Sequence, residues 1–79
     1  MKIQITQNHI KRGKKGRVTL CPIALALKER GFEKVRVRAE AVEIDGAKFS
    51  LSPNEMRFIK RFDNGEPVEP FVFRVRFAQ

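Results

Sequence analysis

The sequence predicts a single small α+β domain. Three features of the 79-residue chain point that way: two-residue alternation of apolar side chains near both ends, a hairpin signal at Asp45 and Gly46, and two helix starts marked by proline. In chain order they give strand, helix, strand, strand, helix, strand, with the helices packed on one face of a mainly antiparallel sheet. A chain of this size buries only about 60% of its unfolded surface, so a lone core is marginal and association into a homo-oligomer is expected. Hydrophobic residues at 42% and charged residues at 33% belong to a folded globule rather than a disordered tail.

Each element has a local cause. Ile3 and Ile5 alternate with Lys2, Gln4 and Thr6, the period of a half-buried strand. Asn8 is placed to cap a short turn of helix ending at Gly13. The loop from Lys14 to Thr19 leads to Pro22, which suits a first helical position because its missing N–H has no partner there anyway. Gly31 closes this helix, with Phe32 folding back onto Leu27 in a Schellman ending, and Ile23 to Leu27 imply burial on most sides. Val35 and Val37 then alternate with Arg36 and Arg38. Asp45 and Gly46 set Ile44 opposite Ala47, Glu43 opposite Lys48 and Val42 opposite Phe49. The inward phase moves from odd positions at Val35 and Val37 to even ones at Val42 and Ile44, which predicts a bulge or bend near Ala39 to Ala41. Ser52, Pro53 and Glu55 form a capping box, with Leu51 stapled onto Met56. The helix carries Met56, Phe58, Ile59 and Phe62 on one stripe and ends near Asn64 and Gly65. After Pro67 and Pro70, the residues Phe71, Phe73, Val75 and Phe77 alternate with Val72, Arg74 and Arg76 in a last strand.

The net charge is +8, and its placement carries more information than its size. Lys2, Lys11, Arg12, Lys14, Lys15, Arg17 and Lys28 precede the first acid, and from Glu29 onward ten bases face nine acids. Such asymmetry creates a local positive potential that attracts phosphates or an acidic partner. The basic stretch before LCPIALAL is no signal peptide, since it begins inside the chain and holds Pro22. No segment spans a bilayer, so no membrane partner is expected. One cysteine forms no internal disulfide, which fits a cytoplasmic setting, and one cysteine with one histidine leaves no standard zinc site.

The candidate chemistry is anion binding. A helix N-terminus offers unpaired N–H groups and partial positive charge, and Cys21 stands where an oxygen cap belongs. With Lys11, Arg12, Lys14, Lys15, Arg17 and Thr19 upstream, this start reads as a phosphate site, without the spacing of a nucleotide-hydrolysing loop. A second cluster forms if Arg36 and Arg38 share an outward face with Arg74 and Arg76. The plainer reading of both is a solvated cationic surface. Duplex nucleic acid is the rival ligand, held at its backbone by Lys14, Lys15, Arg57, Lys60 and Arg61; the phenylalanines fall mainly on core positions and leave little to stack single-stranded bases. Cys21 and His9 lack a third orienting group, so neither catalysis nor a cofactor or metal is expected.

Gln7, His9, Ile10 and Gly13, then CPIALAL at Cys21 to Leu27, Gly31, and the tail pattern Phe58, Ile59, Phe62, Asp63, Gly65, Pro67, Val68, Pro70, Phe71 and Phe73 together resemble a group of small phage and prophage proteins. The similarity spans nearly the whole chain, and the cations of the Lys11 to Arg17 loop are not part of it. The resemblance implies a phage protein acting in the cytoplasm of an infected bacterium. In that setting, compact basic oligomers that sequester cyclic or modified nucleotide signals are a known class, the nucleotide sponges of anti-CBASS and anti-Thoeris counter-defence. The expected function is therefore a non-enzymatic protein that sequesters a small anionic nucleotide ligand, with backbone binding to nucleic acid or docking on an acidic host protein as alternatives.

Overall fold

The computed structural model describes residues 1–75 and has an α+β architecture. Its elements are β1 (Lys2–Ile5), α1 (Gln7–Arg12), α2 (Pro22–Glu29), β2 (Val35–Val37), β3 (Ala41–Ile44), β4 (Ala47–Ser50), α3 (Pro53–Asp63) and β5 (Phe71–Arg74). Instead of one sheet there are two, both antiparallel: β1 with β5, and β2 with β3 and β4. Their inner faces share one core in which Ile3, Ile5, Ile23, Leu27, Val35, Val42 and Phe73 are at most 2% exposed. Complete burial contributes about 1.5–3 kcal/mol for each large aliphatic side chain. No helix among the described residues is long and apolar enough to cross a membrane.

α1 is capped by Thr6 rather than Asn8. The Thr6 hydroxyl accepts the His9 amide at 3.3 Å, and His9 Nδ1 accepts the Thr6 amide at 2.9 Å. An imidazole thus fills the place that Glu or Gln holds in an ordinary capping box. Gly13 follows at closest approach to α2, where a Cβ would stand 2.7 Å from Pro22 Cδ. α2 starts at Pro22 and ends in the expected Schellman pattern, with the Phe32 amide donating to the Leu27 carbonyl at 3.4 Å and the Gly31 amide to that of Lys28 at 3.0 Å.

Of the bulge or bend expected near Ala39 to Ala41, the structure has a tight bend at Ala39 and Glu40, which divides the stretch into two strands. Val35 pairs with Ile44 and Val37 with Val42, and the Arg38 amide donates to the Ala41 carbonyl across Ala39 and Glu40. The next hairpin has the expected register, Ile44 to Ala47, Glu43 to Lys48 and Val42 to Phe49, around Asp45 and Gly46, both at positive φ. Ser52 and Glu55 form the reciprocal capping box. Beyond its Ser52 bond, the buried Glu55 carboxylate accepts the Arg74 amide at 3.2 Å, tying the start of α3 to β5. β5 presents Phe73 and Val75 inward as its alternation predicts, while Arg76 and Phe77 lie outside the described residues.

Candidate functional site: a cationic loop docked on the end of a helix

The loop from Lys14 to Leu20 is ordered by its backbone, leaving its cations outward. The Lys14 amide donates to the Leu20 carbonyl at 2.9 Å, closing the loop, and the Leu20 amide donates to Arg17 at 3.1 Å. Val18 accepts the Val37 amide at 2.8 Å, so the loop lies against the edge of β2. Lys28 Nζ reaches the Thr19 carbonyl at 2.6 Å. Gly16, at φ 68° where an L side chain is strained, aims its amide at Asp63 Oδ1, 3.0 Å away on the last residue of α3. The Lys15 ammonium crosses over Gly65, where a Cβ would be 2.9 Å from Nζ. Lys11, Lys14, Lys15, Arg17 and Thr19 are exposed, and among the described residues no carboxylate lies within ion-pair distance of these four cations.

The start of α2 does not complete this loop as an anion site. Cys21 makes no capping hydrogen bond, as expected of a thiol, yet the first-turn amides are not offered to solvent. Cys21 is 5% exposed, and Ile23 and Ala24 are fully buried, so a phosphate would reach these donors only by unpacking the core. Burial pushes the Cys21 thiol pKa up, outweighing the Ala24 and Ile23 amides that draw it down. Nucleophilic chemistry would need the reverse shift.

Arg12 is likewise committed elsewhere. The Thr6 amide donates to His9 Nδ1, so the ring hydrogen sits on Nε2 and is donated to Glu29 Oε1 at 2.7 Å. Arg12 Nη2 holds the other oxygen of the same carboxylate. His9 and then Arg12 keep the Glu29 carboxyl below the usual carboxylate range. His9, 6% exposed, is thereby a structural link from α1 to the end of α2.

Arg36 and Arg38 do not converge with Arg74, because β2 and β5 belong to different sheets, and Arg76, the fourth arginine of the expected cluster, lies outside the described residues. Arg36 and Arg38 stand outward on the three-stranded sheet, where Arg38 Nε donates to Glu43 Oε1 at 2.7 Å and lowers that carboxyl's pKa. Arg74 lies across from Lys2 on the other sheet. The bond between Val18 and Val37 instead sets Arg17 and Thr19 beside Arg36 and Arg38.

What the fold does join is the loop and α3. Arg57, Lys60 and Arg61 form the exposed stripe of that helix, Arg57 bonded to Asn54 at 3.1 Å and Arg61 loosely paired with Glu66 at 3.8 Å. Arg57 to Asp63 spans about 9 Å of helix axis, and the loop docks at its far end, with the Gly16 amide on Asp63 and Lys15 over Gly65. Arg57 and Arg61 also share a groove of about 600 Å³ with Arg74, a grouping that sequence reading missed because it depends on how α3 lies beside β5. The one signal available was Glu55, whose role in the capping box hid its second bond. No protein-family model, curated protein or solved structure matches the chain.

Proposed function

We propose that this chain is a non-catalytic binding protein for the phosphate backbone of duplex nucleic acid. The observation that carries the reading is the docking of the loop on the end of α3, through Gly16 and Asp63 and with Lys15 over Gly65, which brings the loop with exposed Lys14, Lys15 and Arg17 to the helix that carries exposed Lys60 and Arg61. An open row of cations without an enclosing cavity suits an extended polyanion, whose charges recur every few ångströms. Among the described residues little is offered for base stacking, since Phe58, Phe62 and Phe73 are buried and Phe32, Phe49 and Phe71 half-buried. Sequestration of a small nucleotide is the weaker reading, because the buried amides of α2 withdraw the seat it was given. In the phage setting that the resemblance implies, the phage or host genome supplies the backbone.

Salt dependence tests the proposal. Five phosphate contacts give a slope of log K against log salt of about −4.5, an affinity loss of about 500-fold between 50 and 200 mM. Gel shift or anisotropy on a random 20-base-pair duplex measures it, and Lys14→Glu with Lys15→Glu should flatten the slope by about 2 while leaving the circular dichroism unchanged. Binding that ignores salt, or that survives the double substitution unaltered, refutes the proposal.

A further inference from the structure

The edge of β5 turned away from β1 is open, and its phase is set by the first pair of residues. Met1 and Val75 exchange both main-chain bonds at 2.9 Å, so in the antiparallel ladder Phe73 and Phe71 also bond to β1, while the main-chain groups of Val72 and Arg74 point the other way. The Arg74 amide meets Glu55 on that side. The Val72 N–H and C=O have no partner among the described residues, and its side chain is 44% exposed. Along this edge runs the groove of about 600 Å³, walled by α3 and the Pro67 to Pro70 segment. Phe58 and Phe71 lie in it with ring centroids 4.5 Å apart. Arg57, Arg61 and Arg74 supply its cations against Glu55 and Glu69, and the Glu55 carboxylate is already turned to two backbone amides.

We propose that this groove takes a short extended acidic peptide, added as a further strand on the open edge of β5, with an apolar side chain over Phe58 and Phe71 and carboxylates on Arg57, Arg61 and Arg74. Main-chain pairing supplies the affinity and the alternation of side chains the selectivity, as in other cases of strand addition. Pro70 has no N–H and Glu55 occupies the Arg74 amide, so the paired register is only two or three residues long. Successive side chains of an added strand point to opposite faces, which calls for acidic and apolar residues in alternation. A second copy of this chain would bring another +8 to the same cations, which disfavours it as occupant. The proposal rests on the Val72 edge rather than on the loop, and shares only Arg61 with the surface proposed for nucleic acid.

Selection of a random heptapeptide display library on the wild-type protein tests it, followed by titration of the best synthetic peptide observed through backbone amide resonances. Enriched sequences should alternate Asp or Glu with apolar residues and shift the Val72 resonance. Methylating the peptide's paired backbone nitrogens should weaken binding at least tenfold, as should Val72→Pro; the first change leaves the protein intact and so does not depend on a variant folding. Lys14→Glu with Lys15→Glu should leave peptide affinity unchanged even where it abolishes duplex binding. The proposal is overturned if no acidic consensus emerges, if binding survives backbone methylation, or if the bound peptide leaves the Val72 resonance unmoved.

Discussion

Replacing Glu55 with alanine tests how far a single carboxylate binds α3 to β5. The native side chain accepts the Ser52 amide at 2.8 Å through one oxygen and the Arg74 amide at 3.2 Å through the other, in a residue 6% exposed. Hydrogen bonds to a charged acceptor contribute about 1.5–3 kcal/mol each, and water can reach part of this site, so the lower figure applies and the pair gives about 3 kcal/mol. A chain of this length has a total stability on the order of 4–12 kcal/mol. Glu55→Ala should therefore lower Tm by about 12–24 °C, at about 4–8 °C per kcal/mol for a domain this small. Glu55→Gln keeps one carbonyl acceptor where the carboxylate had two, and should lose about half as much. Thermal and urea denaturation followed by circular dichroism measure both. If Glu55→Ala lies within about 0.5 kcal/mol of wild type, water replaces the carboxylate without penalty and the argument from buried satisfaction is wrong. If the two variants are equally unstable, negative charge rather than the number of acceptors is what counts.

Gly13→Ala keeps an ordinary backbone, φ −66°, but sets a Cβ 2.7 Å from Pro22 Cδ, so steric overlap alone should cost about 1–3 kcal/mol, read as a lower urea midpoint. The Glu29 carboxyl titrates below its unfolded value, so its contribution is present above the unfolded pKa and is lost as pH falls through the folded one. The Tm gap between wild type and Glu29→Gln should hold above about pH 5 and close on further acidification, a small gap because the side chain is half-exposed; a gap unchanged at pH 3 contradicts the assignment. Cys21, buried and with its thiol pKa raised, should resist a disulfide reagent in the native protein and react promptly in 6 M guanidinium; fast native labelling would place it at the surface.

The elements with local causes were legible in the sequence. Asp45 and Gly46 specify their hairpin register, Ser52 to Glu55 specify a cap, and Gly31 with Phe32 specify a helix ending, each through bonds spanning a few residues. At Ala39 and Glu40 the sequence showed a bulge or bend but not a full hairpin, because neither residue is a turn former. The phase change that resembled a bulge is the normal parity of a two-residue hairpin, in which an odd position faces an even one, as Val35 faces Ile44. Thr6 displaced Asn8 as cap because His9 stands three residues after Thr6 and can reciprocate. The candidate site was legible only as a list of cations. Which of them meet depends on Gly16 and Asp63, 47 residues apart, and on the division into two sheets, neither of which leaves a periodic signal. At the start of α2 the missing oxygen cap was legible from Cys21, whereas the burial of Ile23 and Ala24 that covers the first-turn amides follows from packing and was not.

The bond from Val37 to Val18 gives the cationic loop a second office. By lying along β2 it shields a border of the three-stranded sheet that would otherwise be free to recruit another molecule. Its lysines also deter such contact by mutual repulsion. Excising the loop would therefore yield a protein prone to assemble edge to edge through β2.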